Sequence, residues 1–91
     1  MWRTVDPDGR IVVLTDEGWY HIVVKHPELV QRRSLILETV AFPDEWIPGR
    51  GPGEEWFYRA RPGFTRWLRV VVHFRAGQGI IVTGFPRRSF P

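Results

Sequence analysis

Three histidines, His21, His26 and His73, are the side chains in this chain best placed to move protons near neutral pH, because imidazole alone titrates there unperturbed. His21 and His26 stand five positions apart, so a helix does not stack them on one face as it would an i, i+4 pair. A zinc helix needs two histidines four apart with a glutamate between them, and that spacing is absent. The ordinary alternative for each is a half-buried ring satisfied by a backbone carbonyl, and His26, just before Pro27, can also close a helix at its negative end. The chain has no cysteine, which removes thiolate zinc sites, iron–sulfur clusters, cysteine nucleophiles and disulfide frameworks. Ser34 and Ser89 lack the strand–elbow–helix setting of a hydrolase nucleophile. Gly49, Gly51 and Gly53 alternate with Arg50 and Pro52 ahead of a strand, whereas phosphate-cradling loops precede a helix, so no nucleotide cofactor and no metal is expected. Glu54 and Glu55 read as a solvated lead-in to a strand rather than as an acid/base pair.

Charge narrows the field further. Thirteen Lys and Arg against ten Asp and Glu leave a formal net charge of +3. Twelve of those thirteen cations are Arg, whose planar guanidinium stays charged and can grip a phosphate through two parallel hydrogen bonds. A G+C-rich coding sequence would produce the same bias without any functional meaning. The distribution says more: from Arg59 onward there are seven Arg (59, 61, 66, 69, 75, 87, 88) and no carboxylate side chain, while every acidic residue lies at or before Glu55. Such segregation favours a polyanionic partner, or else a salt-bridged surface against the acidic N-terminal part. A cationic surface that also offers His, Arg, Tyr and Thr is a sufficient kit for cleaving RNA without a metal. That reaction needs a base for the 2′-hydroxyl proton, a cation for the charge growing on the phosphate, and an acid for the leaving 5′-oxygen. The same kit would bind nucleic acid without cutting it, with Arg on phosphates and rings such as Trp67 under bases. A third class, a protein-interaction or regulatory domain, would bury the Trp46 and Trp56 region against a partner.

The elements that must position these groups follow from punctuation and periodicity. Ninety-one residues make one small domain, and 43% hydrophobic content with five Trp and six Phe argues for a packed core. Asp6-Pro7-Asp8-Gly9 separates Trp2–Val5 from Arg10–Leu14 and predicts an N-terminal hairpin. Thr15 caps a helix that opens on Asp16 and Glu17 and runs to about Lys25; Pro27 starts a second that runs to about Ala41 and ends before Pro43. Residues 43–53, rich in Pro and Gly, read as a mobile loop. Strands are expected at Glu55–Arg59, Trp67–Phe74 and Ile80–Phe85, joined by connections too short for parallel crossovers. The expected architecture is therefore α+β: an N-terminal hairpin and two helices packed on one face of a curved antiparallel sheet of three to four strands. Leu68, Val70, Val72 and Phe74 should meet the helices, leaving the Arg69 and His73 face partly open and basic. The longest apolar run, Ile11–Leu14, is far too short for a membrane helix, and no signal-peptide core follows Met1, so a cytoplasmic protein is the default expectation. An edge strand and several tryptophans would permit a dimer without requiring one.

The order Trp19-Tyr20-His21-Ile22, Lys25-His26-Pro27-Glu28-Leu29, Glu38-Thr39-Val40, Pro43-Asp44, Phe57-Tyr58-Arg59, Leu68-Arg69-Val70-Val71-Val72 and Ile81-Val82-Thr83-Gly84-Phe85-Pro86 resembles small phage-associated nucleases of the BECR superfamily, which groups barnase-, EndoU-, colicin- and RelE-like ribonucleases. The resemblance spans about residues 15–86. It implies N-terminal helices followed by a curved antiparallel sheet, and metal-independent cleavage of RNA, often as a toxin, for which a cognate antitoxin or immunity protein would be a further partner. Carried over motif by motif, it implies His21 or His26 as the proton-transfer group, Tyr58 and Arg59 as an aromatic–basic pair with Arg59 clamping phosphate, and Thr83 as a hydroxyl donor. Lys25 and Arg69 become auxiliary cations, and Arg61, Arg87 and Arg88 extend the nucleic-acid-binding surface. Phe85 stands where that group often carries Tyr, so one hydroxyl is absent from the last strand.

Overall fold

The computed structural model describes residues 1–91. Its strands are β1 (Trp2–Val5), β2 (Ile11–Leu14), β3 (Glu45–Pro48), β4 (Glu54–Ala60), β5 (Trp67–Arg75) and β6 (Gln78–Arg87), with helices α1 (Asp16–Lys25) and α2 (Arg33–Ala41) between β2 and β3. The α+β class is as expected, but the sheet has six strands in the order β1-β2-β6-β5-β4-β3, not three to four. It is also mixed rather than antiparallel: β2 runs parallel to β6, pairing Val12 with Gly79 and Val13 with Ile80. The crossover that permits this is the whole chain between the two strands, long enough for parallel pairing. The N-terminal hairpin thus extends the sheet instead of lying on its face.

Local chemistry explains most element limits. Asp6 organises the β1–β2 turn, its carboxylate accepting from the backbone N–H of Asp8 and Arg10 at 3.0 and 2.8 Å. The Thr15 hydroxyl accepts from Gly18 N–H at 2.9 Å and so satisfies one of the unpaired donors at the start of α1. His26 closes α1 with its backbone N–H on the Ile22 carbonyl. The second helix does not run unbroken from Pro27: Pro27–Leu29 form one 3-10 turn, and α2 begins at Arg33. Within the segment expected to be a loop, Glu45–Pro48 pair with β4 from Glu45 opposite Tyr58 to Pro48 opposite Glu55, making β3 an edge strand where a proline at its end is tolerated. Gly53, at φ +78°, makes the turn into β4 and lies so close to β5 that a Cβ would sit 2.5 Å from the Phe74 carbonyl oxygen.

The second helix, α2, covers one face of the sheet, and α1 adds Ile22 to the same core from the sheet's edge. Ile22, Leu29, Ile36 and Val40 pack with Phe57, Leu68, Val70, Val72, Phe74 and Ile81 in a buried cluster, as the alternation in β5 predicts. Across from Val70, Gly84 leaves room for α2: a Cβ there would meet Ile36 Cδ1 at 2.8 Å. A register shift between Val71 and Val72 places Val82 as the extra residue of β6, so that Thr83 and Phe85 share the helix-free face with Val71 and Arg69. Because β2 pairs only with the start of β6, the rest of that strand has a free edge, and α1 runs along it with Gly18 against the Ile81 carbonyl.

Candidate functional site

The helix-free face is built by cross-strand registry. Trp56 lies opposite Val71, Tyr58 opposite Arg69, and Arg69 opposite Phe85. Three aromatic rings therefore meet at one guanidinium: Arg69 Cζ is 4.0 Å from the Trp56 ring centroid and 5.3 Å from those of Tyr58 and Phe85. Its Nε donates to the Tyr58 hydroxyl at 2.8 Å. Arg69 retains only 8% exposure, so the expectation of an open cation at this position is corrected: neighbouring rings cover it. Its terminal nitrogens donate to nothing in the protein and are not among the enclosed, unpartnered atoms, so they keep contact with solvent.

His26 joins this group from the edge, its ring 5.9 Å from Phe85 in a stacked arrangement. Its Nδ1 lies 3.9 Å from a Glu28 carboxylate oxygen. Thr83 stands two residues before Phe85 on the same face and is half-buried. His21 is elsewhere: exposed, it lines a shallow hollow of about 260 Å³ with Thr15, Gly18, Ile81 and Val82. His21 and His26 thus mark two points along the free edge of β6; His26 is half-buried, as the ordinary alternative expects, but neither ring hydrogen-bonds to a backbone carbonyl.

Tyr58 and Arg59 separate, as consecutive strand residues must. Tyr58 is fully buried on the helix-free face, its ring edge-on to Trp67 and to Phe90 at centroid distances of 6.1 and 4.7 Å. Arg59, opposite Leu68, belongs to the other face, with Nε 4.0 Å from the Asp44 carboxylate. The sequence-derived set therefore divides: His26, Tyr58, Arg69 and Thr83 share one region, Arg59 lies behind the sheet, and His21 lies further along the edge. Lys25 is exposed at the end of α1 without an ion pair. Arg61 and Arg88 are exposed at the ends of β4 and β6, where with Ala60, Arg66 and Trp67 they line a hollow of about 420 Å³. Arg87 is partly buried, and its Nη2 donates to the Pro91 main-chain oxygen at 2.9 Å. No group of three His, Asp or Glu side chains gathers as a metal site.

Glu55 is not a solvated lead-in. It accepts two hydrogen bonds from Arg10, at 2.7 and 3.0 Å, and one from Trp46 Nε1 at 2.8 Å. The Arg10 hydrogen bonds hold its carboxyl below the usual 4.5, and Arg10 is correspondingly raised. Trp56 and Phe85 are the site residues that sequence reasoning finds least readily, although Trp56 sits two positions before Tyr58 and strand alternation puts both on one face. No helix is long and apolar enough to cross a membrane. No family model, curated protein or solved structure matches the chain. Fold and site together describe a small α+β domain that carries a ring-framed arginine on the helix-free face of its sheet.

Proposed function

We propose that the protein is a cytoplasmic, metal-independent endoribonuclease of the BECR kind, acting on RNA laid across the helix-free face at the outer edge of β6. The observation that carries this reading is the continuous row Tyr58–Arg69–Phe85–His26, in which a hydroxyl orients a guanidinium and an imidazole shares a ring neighbour with it. In the reaction, the 2′-oxygen forms a bond to phosphorus while the bond to the 5′-oxygen breaks, leaving a 2′,3′-cyclic phosphate. His26 takes the 2′ proton, and the leaving 5′-oxygen takes one from solvent. Arg69 and the Thr83 hydroxyl stabilise the charge gathering on the phosphate oxygens, an interaction that strengthens in the transition state. Arg69 rather than Arg59 fills the clamp role, since only Arg69 shares a face with Thr83.

The test is cleavage of single-stranded RNA by purified protein in EDTA. The reading expects cyclic-phosphate product, a loss of about 100-fold or more for His26→Ala, and little change for Arg59→Ala; no product, or product unaffected by His26→Ala, refutes it. A second reading, RNA binding without cleavage, is favoured by the way His26 and Arg69 meet through Phe85 rather than directly. It expects salt-sensitive retention of RNA that remains intact.

A further inference from the structure

We infer that the hollow framed by Arg61, Arg66, Arg88 and Trp67 is a separate subsite for a nucleotide's terminal phosphate monoester. Three strand ends build it. Ala60 pairs with Trp67, and the Arg61 N–H donates to the Arg66 carbonyl at 2.7 Å, closing the β4–β5 loop. Arg87 pairs with Trp67 from the other side, so Arg88 emerges beside the same ring. Three arginines and one tryptophan thus line a space of about 420 Å³, and none of the three arginines belongs to any of the chain's ion pairs.

The backbone at Arg61 supports a ligand role. Its φ is +50°, a left-handed conformation that glycine adopts readily and a side-chain-bearing residue rarely does. Arginine stands there without repaying the strain through any hydrogen bond or ion pair of its side chain within the protein, and strained positions of this sort cluster at ligand sites. Charge selects the ligand. An internal phosphodiester carries one negative charge, whereas a phosphate monoester carries about −1.5 to −2 at pH 7 and presents three acceptor oxygens. Three unpaired, fork-shaped donors match the second better than the first. Trp67 supplies an apolar wall for the attached nucleoside. Trp67 lies two residues from Arg69 on the same face, about 7 Å along the strand, so a strand end held here would continue past Phe90, which packs against Trp67 at a centroid distance of 5.4 Å, towards Arg69 and Phe85. The inference rests on the RNA reading only for that continuation.

The experiment measures anisotropy of short 2′-O-methyl oligonucleotides, which cannot be cleaved by transesterification, bearing 5′-phosphate, 3′-phosphate or only hydroxyl ends, with the label at the opposite end. One phosphorylated form is expected to bind about tenfold more tightly than the hydroxyl form. That preference should shrink as the pH falls through the phosphate's second pKa of about 6, and vanish in Arg66→Ala/Arg88→Ala. Arg61→Gly should weaken it without lowering the melting temperature, because glycine suits that backbone. A nucleoside monophosphate should compete where the nucleoside does not. If the monophosphate binds in an arginine-dependent way while no oligonucleotide does, the subsite stands for free nucleotides and the RNA reading fails. Equal affinity for phosphorylated and hydroxyl ends together with no monophosphate binding, or a preference that survives in the double variant, overturns the subsite.

Discussion

Two arginine-centred regions of this molecule use the same side chain to opposite ends. At one end of the sheet Arg10 is saturated: it bridges Asp6 and Glu55 and lies 3.5 Å from the Phe74 ring centroid and 5.8 Å from that of Trp46. Asp6 is fully enclosed beneath it, and the bridge ties the β1–β2 turn to β4. At the other end Arg61, Arg66 and Arg88 line a hollow and pair with no carboxylate side chain. Arg69 is intermediate, held by rings and one hydroxyl but by no anion. A saturated arginine holds the fold together. An arginine without a carboxylate partner leaves its charge uncompensated within the protein, which is why a net charge of only +3 is compatible with a strongly cationic end.

Breaking the saturated region should have the largest effect on stability. Arg10→Ala removes three charge-assisted hydrogen bonds and leaves the enclosed Asp6 carboxylate without its cation; urea denaturation is expected to show a loss of roughly 2–3 kcal/mol. Glu55→Gln should cost less, because the amide still accepts from Trp46, and should change the acid limb. The folded carboxyl is depressed below 4.5, so its contribution is present above that value and lost as pH falls through the lower folded pKa. Melting curves should therefore show wild-type stability dropping in that window and a flatter profile for the variant. A smaller effect, about 1 kcal/mol, is expected for Tyr58→Phe, which leaves the Arg69 Nε without an acceptor. Arg66→Ala and Arg88→Ala should change stability by no more than about 0.5 kcal/mol. The same changes should flatten the salt dependence of single-strand binding by about 0.7 for each phosphate no longer neutralised, sharpening the contrast between the two ends.

Much of this arrangement is legible in the chain, where local chemistry decides the outcome. Asp6-Pro7-Asp8-Gly9 makes its turn, Thr15 caps its helix, and the alternation from Leu68 to Phe74 marks the helix-covered face. What is hidden depends on partners remote in sequence. Nothing around Val12 and Val13 announces that Gly79 and Ile80 will pair with them in parallel. Glu45–Pro48 is too short and too rich in turn residues nearby to read as a strand until β4 supplies its ladder. In the site, the order Tyr58-Arg59 suggests a pair, yet the two-residue period of a strand divides them. Arg69 reads as exposed because its own strand alternates, while its cover comes from Trp56, Tyr58 and Phe85 on neighbouring strands.

Everything proposed for the sheet requires RNA to lie on the ring-framed arginine face and not on the side covered by the helices. A chemical-shift titration of labelled protein with an uncleavable 2′-O-methyl oligonucleotide distinguishes the two faces residue by residue. Shifts concentrated at Arg69, Thr83, Phe85 and His26, with α2 and β1 unmoved, are the expected result. No saturable shift, or shifts confined to α2 and the exposed Phe42, would contradict it.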